Sequence, residues 1–182
     1  MGKQVWKPGN MVYPVPAVLV SAADGEGRTN LITVAWTGTI CTNPPMAYIS
    51  VRPERYSYGI IRDTDKFRKT RLTAQPASFV KAPLIAESPV NLECRVEKTE
   101  ELGSHHMFLA KVLAVHADEA YLDAKGRLDL ERAGLLAYSH GNYLGLGQKV
   151  GTFGYSVKKA GTRPRGRRTA VPKKSGGQTR HP

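Results

Sequence analysis

Short runs rich in β-branched and apolar residues, each bounded by Gly, Pro, Asn or Asp, constrain the fold more than any other feature of this sequence. Such runs are typical of β-strands separated by turns. They cover residues 12–21, 29–39, 46–52, 90–96 and 106–117. The sequence therefore predicts a mainly β, antiparallel protein.

The segments between these runs predict the connections. Asp24-Gly25-Glu26-Gly27 predicts a hairpin with a loose, glycine-containing loop between the first two strands. The polar residues 97–104 are expected to form a loop that joins the last two strands, and residues 73–83 an extended loop. Short helices are predicted after Pro53, around residues 58–62, and again at residues 128–136.

Positive charge is concentrated at the end of the chain. The 182 residues have a net charge of +12, but residues 158–182 contain nine Lys and Arg residues and no Asp or Glu. Residues 1–157 therefore carry a modest excess of basic side chains and are long enough for one domain. We expect residues 158–182 to be a disordered basic tail, because they cannot bury enough apolar surface to fold. The tail contains no aromatic residue for base stacking, so its expected binding to nucleic acid is weak and non-specific.

Several classes of protein are disfavoured. The apolar stretch at residues 17–23 is too short to span a bilayer, and the first residues lack a signal-peptide core, so a cytoplasmic protein without membrane association is expected. Cys41 and Cys94 do not form a C-x-x-C pair, which disfavours a disulfide scaffold and a structural zinc site. His105 and His106 would point to opposite faces of a strand, so they cannot bind one metal together. The sequence predicts no metal site.

Residues 28–39 are a candidate for binding a planar ligand. In a strand, Leu31, Thr33, Ala35, Thr37 and Thr39 would share one small, hydroxylated face. Small side chains allow backbone N–H groups to approach the edge of a heteroaromatic ring. A threonine-rich strand that simply faces solvent remains the alternative.

Residues 50–58 are a candidate for binding phosphate. Arg52, Arg55 and Ser57 lie close together beside a predicted helix start, which is the chemistry that a phosphate dianion requires. The alternative is an exposed turn in which the arginines pair with Glu54.

One histidine of the 105–106 pair is expected to face either a ligand pocket or the core of the protein.

Taken in order, several segments resemble the flavin reductase family with the FMN-binding split-barrel fold, especially its flavoredoxin-like branch. The resemblance extends over about residues 11–156. The matching segments are residues 14–21, 30–36, 43–46, 50–58, 81–94, 103–112 and 151–156.

This resemblance implies a homodimeric, antiparallel, Greek-key split barrel with short helices, which holds FMN near the subunit interface. Electrons would pass from NADH or NADPH through FMN to an acceptor, and the cofactor would provide the redox chemistry. His105 corresponds to a family histidine beside the nicotinamide side of the flavin. The residues that correspond to the family's cofactor site are Asn30, Thr33, Ala35, Trp36, Thr37, Ser50, Arg52, Arg55, Tyr56 and Ser57.

The sequence departs from the family near residue 64. Relatives have another strand and a helix between the segments that match residues 60–64 and 65–67, which are directly joined here. We therefore expect a barrel that is incomplete by one strand and has unpaired edges. The alternative function is a split-barrel binding protein with weakened or lost flavin affinity, whose basic tail binds a polyanion.

Overall fold

The computed structural model describes residues 2–24, 26–54 and 66–152, and these residues form mostly β-strands. The helical elements are α1 (Lys66–Thr70) and a 3-10 turn (Glu119–Tyr121). The strands are β1 (Val15–Pro16), β2 (Val18–Ala23), β3 (Thr29–Val34), β4 (Thr37–Cys41), β5 (Met46–Val51), β6 (Ala74–Gln75), β7 (Leu84–Ile85), β8 (Val90–Leu102), β9 (His105–Ala117), β10 (Leu136–Ser139) and β11 (Asn142–Gly145). The mainly β class predicted from the sequence is confirmed.

A four-stranded antiparallel sheet in the order β4-β5-β9-β8 positions the candidate site. Its register places Val51 opposite His106, and Leu102 opposite His105. Three smaller sheets accompany it, in the orders β1-β10-β11, β2-β3 and β6-β7. Within the described residues, none of these sheets closes on itself.

The hairpin predicted around Asp24 is confirmed, because β2 and β3 pair antiparallel from Val18 opposite Val34 to Ala23 opposite Thr29. The Asp24 carboxylate accepts hydrogen bonds from the backbone amides of Glu26 and Arg28, each at 2.9 Å. These bonds hold the Glu26 and Arg28 amides against the Asp24 side chain, whereas Gly25 lies outside the described residues.

Two predicted strands are each divided in the structure. Residues 12–21 form β1 and β2, which are separated at Ala17, and residues 29–39 form β3 and β4, which are separated at Ala35 and Trp36. In both cases the chain changes partners, since β1 pairs with β10, β2 with β3, and β4 with β5. A bend in the chain allows a single predicted strand to pair in two different sheets. The predicted alternation of faces therefore does not continue from Thr33 to Thr37.

The predicted loop at residues 97–104 is wrong. β8 continues to Leu102, and only Gly103 and Ser104 connect it to β9. Gly103 has φ +66°, which suits a two-residue hairpin turn. Residues 95–99 are exposed, and β8 lies at the edge of its sheet, so their charged side chains are compatible with strand structure.

The helix predicted at residues 128–136 is also wrong. Leu128 instead forms an isolated bridge with Leu122, the following residues form turns, and β10 begins at Leu136. Gly134 has φ +63°, which is outside the helical region. A helix this short would also need strong packing against the core to be stable. The other predicted helix, at residues 58–62, lies outside the described residues.

The loop predicted at residues 73–83 is interrupted near its start, because Ala74 and Gln75 of β6 pair with Ile85 and Leu84 of β7. Beyond β6, residues 76–83 have no regular secondary structure.

A small apolar cluster packs α1 against the sheets. Leu31, Phe67 and Ile85 form it, and Leu72 packs against it. Glu93 is the other notable buried side chain, with 1% of its surface exposed. Phe67 is the buried residue of α1, so this short helix is held by tertiary packing.

Residues up to Gly147 form one compact unit, and the boundary of this unit lies between Gly147 and Gln148. Residues 148–152 are exposed and have no regular secondary structure. Among the residues that the structure describes, no helix is long and apolar enough to cross a membrane.

Candidate functional site

Three strand ends meet at one end of the four-stranded sheet. β4 begins just after Trp36, β5 ends at Val51, and β9 begins at His105. The backbone amide of Ser50 donates to the carbonyl of Trp36 at 2.8 Å, and Val51 lies opposite His106. Sequence-predicted residues that are far apart in the chain are thus brought together.

Two aromatic side chains stack at this end of the sheet. The ring centroids of Trp36 and His105 are 4.3 Å apart, and their planes differ by 25°. Both residues are half-buried. Together they form an aromatic wall, which is a suitable surface for a planar ligand.

Ser104, which was not predicted as a site residue, contacts the same histidine. Its Oγ lies 2.9 Å from Nδ1 of His105. Only its position next to His105 in the sequence could have suggested this contact, because the contact depends on the hairpin turn.

The neighbouring residues of β4 are engaged with β5. The Thr37 hydroxyl donates to the carbonyl of Tyr48 at 2.7 Å. A Cβ at Gly38 would lie 3.0 Å from Cε1 of Tyr48, so the tyrosine ring covers this glycine closely. Thr37 therefore already uses its hydroxyl proton within the sheet.

The predicted phosphate-binding residues are only partly described. Ser50 is half-buried at the end of β5, and Arg52 is exposed immediately after it. Arg55, Tyr56 and Ser57 lie outside the described residues. Arg52 therefore lies at the same end of the sheet as the aromatic wall.

The remaining predicted residues belong to β3 and the bend that follows it. Asn30 is 4% exposed, and its Oδ1 accepts a hydrogen bond from the Leu31 amide at 2.8 Å. The Oδ1 atom of Asn30 is thus hydrogen-bonded within the β2–β3 hairpin. Thr33 is exposed, and Ala35 is half-buried close to Trp36.

Thr33 also lines a cavity of about 280 Å³ between β2–β3 and α1, together with Lys66 and several apolar side chains. This volume is just below the usual range for ligand pockets, about 300–1,000 Å³. Thr33 is the one residue that the cavity shares with the predicted site. The aromatic wall and Arg52 are the better candidates for ligand chemistry.

A separate charged cluster lies further along the β8–β9 hairpin. Glu93 accepts hydrogen bonds from the backbone amides of Ser78, Phe79 and Val80 at 2.6–3.1 Å and lies 2.6 Å from Nε2 of His116. Burial raises the pKa of Glu93, but these hydrogen bonds outweigh burial and lower the pKa to about 2.

Glu93 lies opposite Ala114, nine positions along β9 from His105, or about 30 Å in a strand. The Glu93 cluster is therefore distinct from the candidate site. Among the described residues, no group of three His, Cys, Asp or Glu side chains could hold a metal ion.

Comparison with known proteins assigns the family. The family model for the flavin reductase like domain matches the chain in two pieces, residues 10–68 and 62–147. The two pieces meet near residue 64, where the sequence departs from the family pattern. An uncharacterised protein of Archaeoglobus fulgidus is 26% identical over 141 residues, which are 63% of this chain and 78% of that protein.

Solved structures show the same fold. Flavoredoxin of Desulfovibrio vulgaris has a TM-score of 0.77 at 24% identity, with 86% of this chain and 100% of that chain covered. The FMN-binding protein of Thermus thermophilus has a TM-score of 0.62 at 22% identity, with 84% and 98% covered. These likenesses identify the fold as the split barrel of the flavin reductases. Since the family model matches well over half of the sequence, the chain belongs to the flavin reductase like domain family.

Proposed function

We propose that this protein binds FMN at the common end of β4, β5 and β9 and transfers a hydride to it from NADH or NADPH. The observation that supports this function best is the placement of the Trp36–His105 stack beside Ser50 and the exposed Arg52. An aromatic wall next to a cationic group suits a planar ring system that ends in a phosphate. The membership of a flavin reductase family supports the same assignment.

The described residues fit this cofactor. Arg52 and the hydroxyl of Ser50 would hold the phosphate end through charge-assisted hydrogen bonds. Ala35 is small and half-buried, so backbone groups of the bend could lie close to the ring edge. When bound, FMN would supply the two-electron redox chemistry, and the protein would supply orientation and electrostatics.

His105 would orient the co-substrate. Its ring forms part of the aromatic wall, so it could contact the nicotinamide that must approach the flavin. Orientation of two reactants at close range accounts for much of the rate in transfers of this kind. The proposed reaction needs no protein nucleophile.

We also propose that a second copy of the chain covers part of the surface. Leu92 and Val115 lie directly opposite each other on β8 and β9, and they are 51% and 59% exposed. Exposed apolar residues on neighbouring strands are typical of surfaces that associate with a partner. A homodimer accounts for them.

A split-barrel binding protein with weakened or lost flavin affinity is the second candidate function. It is favoured by the junction of the two family-model matches at residues 62–68 and by the free edges of the described sheets. A polyanion bound by the basic tail would then be the ligand.

The absorbance spectrum of the purified protein, followed by titration with FMN, tests the two proposals. Under the proposed function the protein is yellow as purified, or it quenches flavin fluorescence when FMN is added, and the complex oxidises NADH or NADPH. A colourless protein that leaves FMN fluorescence unchanged would reject flavin binding and favour the second function.

A further inference from the structure

One face of the four-stranded sheet extends from the aromatic wall to a lysine in the middle of β9. Directly paired residues share a face of a sheet, and so do alternate residues of one strand. β5 and β9 pair without interruption from Met46 opposite Lys111 to Val51 opposite His106. Lys111 therefore lies on the same face as His105, six positions along β9, or about 20 Å away in a strand.

Lys111 and Arg95 form a pair of cations on this face. They lie directly opposite each other on β9 and β8. The Cβ atoms of such residues are about 4.5–5.5 Å apart, and like charges in this position destabilise a sheet. A bound anion would offset this repulsion.

The neighbouring acidic side chains neutralise the cation pair only weakly. Arg95 Nε lies 3.8 Å from a carboxylate oxygen of Glu97, in an exposed ion pair of a kind that contributes little. The next cation along β8, Lys98, is paired with Glu100. Among the residues that the structure describes, the half-buried Lys111 forms no ion pair. Lys111 is therefore the cation of this face that an anionic ligand would stabilise most.

The surface between the aromatic wall and the cation pair suits a nucleotide base. Tyr48 lies opposite Gly38 on β4 and opposite Leu109 on β9, so it shares the face of Lys111. Its ring covers Gly38, where an added Cβ would lie 3.0 Å from Cε1 of the tyrosine. Aromatic side chains are platforms on which bases stack. An aromatic wall, a tyrosine ring and two cations thus follow one another along a single face.

We propose that Lys111 and Arg95 bind the 2′-phosphate of NADPH, and that the protein therefore prefers NADPH to NADH. The two nucleotides differ in this phosphate on the adenosine ribose. Lys and Arg bind phosphate through charge-assisted hydrogen bonds. The proposal rests on the proposed function, because a nicotinamide at the aromatic wall directs the adenosine half of the nucleotide along this face.

Calorimetric titration of the full-length, flavin-free protein tests the phosphate site itself. The probes are adenosine 2′,5′-bisphosphate and AMP, which lacks the 2′-phosphate. We expect the wild type to bind the bisphosphate more tightly than AMP. Lys111→Met and Arg95→Gln should each lower the ratio of the two affinities by about tenfold, because each removes a charged hydrogen bond. Lys111→Arg, which keeps the charge, should retain most of the ratio.

Lys125→Met is the matched control for this titration. Lys125 is exposed in the turn after Asp123, outside the four-stranded sheet, and the substitution removes the same charge. The ratio of the two affinities should equal that of the wild type. The basic tail is present in every variant, so its attraction for phosphate cancels in the comparison.

Steady-state kinetics of the FMN complex tests the consequence for the co-substrate. Lys111→Met should raise KM for NADPH by about tenfold and KM for NADH by less than about twofold. The kcat with saturating NADPH should be unchanged, because the 2′-phosphate is remote from the atoms that react. Arg95→Gln should have the same selective effect, and it alters an exposed side chain, so it decides the test if Lys111→Met does not fold.

The outcomes separate this proposal from the proposed function. Equal increases of KM for NADPH and NADH would overturn the 2′-phosphate site, as would an equal loss of preference in Lys125→Met, which would show that net charge alone attracts the phosphate. Equal affinities of the wild type for the bisphosphate and AMP would overturn it whether or not the protein binds flavin. Failure to bind FMN, together with a bisphosphate preference that depends on Lys111, would reject the proposed function and support the phosphate site.

Discussion

At the scale of single residues, Arg52 is the described side chain that most directly tests the phosphate end of the site. Replacing a hydrogen-bonding charged group costs about 1.5–3 kcal/mol. Arg52→Ala should therefore weaken FMN binding by about 10- to 100-fold, as measured by fluorescence titration. Riboflavin, which has no phosphate, should bind almost as well to the variant as to the wild type.

Arg95 provides a matched control for Arg52. It is exposed on β8, where its closest acidic neighbour is Glu97 at 3.8 Å. Arg95→Ala removes the same charge away from the strand ends that form the site, so FMN affinity should be unchanged. Equal losses of FMN and riboflavin affinity in Arg52→Ala would contradict the phosphate role.

The strongest prediction for stability concerns Glu93. Its two carboxylate oxygens accept hydrogen bonds from three backbone amides of the loop after β6, and one of them contacts His116. In Glu93→Gln, an NH₂ group replaces one carboxylate oxygen and must then lie against an N–H donor. A buried polar group without a hydrogen-bond partner lowers the free energy of unfolding. We expect the Tm to fall by about 5–10 °C in a thermal unfolding experiment.

Glu97→Gln is the control for this substitution, since Glu97 is on the same strand and its side chain is 48% exposed. Its Tm should stay close to that of the wild type, because exposed ion pairs contribute little. A similar Tm for Glu93→Gln and Glu97→Gln would show that the amide contacts of Glu93 add nothing to stability.

The same carboxylate makes stability depend on pH. The pKa of Glu93 is lowered from 4.5 to about 2 in the folded protein, so the fold favours its ionised form. This contribution is fully present above pH 4.5 and is lost as the pH falls toward 2. Denaturation midpoints of the wild type should therefore decrease over this interval, and those of Glu93→Gln should decrease less. Parallel curves for the two proteins would contradict this assignment.

The sequence could not reveal these residue-level contacts. Glu93 lies between Leu92 and Cys94 in a strand, where a charged residue is ordinarily predicted to be exposed. Its burial depends on a loop 13–15 residues earlier in the chain that turns three amides toward it. The stacking of Trp36 on His105 likewise depends on the bend between β3 and β4, which strand propensity did not predict.

At the scale of elements, two hairpin loops share the pattern D-x-x-G-R. They begin at Asp24 and Asp123, and in each the backbone amide of the aspartate donates to the carbonyl of the arginine, at 3.0 and 2.8 Å. The aspartate carboxylate accepts the arginine amide, and the glycine before the arginine has a positive φ. The common spacing was readable in the sequence, so the two loops could have been predicted to be alike.

Gly126 in the second loop makes this geometry testable. Its φ is +72°, and a Cβ there would have no neighbour within 4 Å. Gly126→Ala should therefore destabilise the protein by about 1–2 kcal/mol through backbone strain alone, as measured by urea denaturation. Gly145→Ala is the matched control, because that site is equally open but has no positive φ. Equal effects of the two substitutions would contradict the strain.

Elements defined by apolar patterns were predicted best. β5 begins at its predicted residue, Met46, and ends one residue before the predicted boundary. Its sequence is apolar except for Ser50 and lies between two prolines. The extension of β8 to Leu102 was missed because its charged residues lie on an exposed edge, where pairing with β9 determines the structure. The helix predicted at residues 128–136 is wrong because the segment forms turns, one of which has a positive φ at Gly134, despite its helix-favouring leucines.

At the scale of the whole molecule, the family could be predicted because many weak segments occur in the same order. Each short motif alone was compatible with an ordinary strand or turn. The family model agrees with that combined pattern over residues 10–147. The departure near residue 64 could be located from the sequence, but its effect on cofactor binding depends on contacts that a local pattern does not specify.

The basic tail provides the last prediction, made from the sequence of residues 158–182. The tail has nine positive charges, no acidic residue and no aromatic residue, so it should bind DNA through counterion release without sequence preference. Truncation after Val157 should abolish this binding. In the full-length protein, binding should lose most of its affinity between about 50 and 200 mM salt.

Truncation should leave FMN affinity unchanged, because every residue proposed for the cofactor site precedes residue 158. Full-length and truncated proteins should therefore be titrated with DNA and with FMN under identical salt conditions. DNA binding that persists in the truncated protein would place the polyanion site on the domain. Loss of FMN binding on truncation would mean that the tail completes the domain in place of the strand that the sequence lacks, and the domain boundary after residue 157 would be wrong.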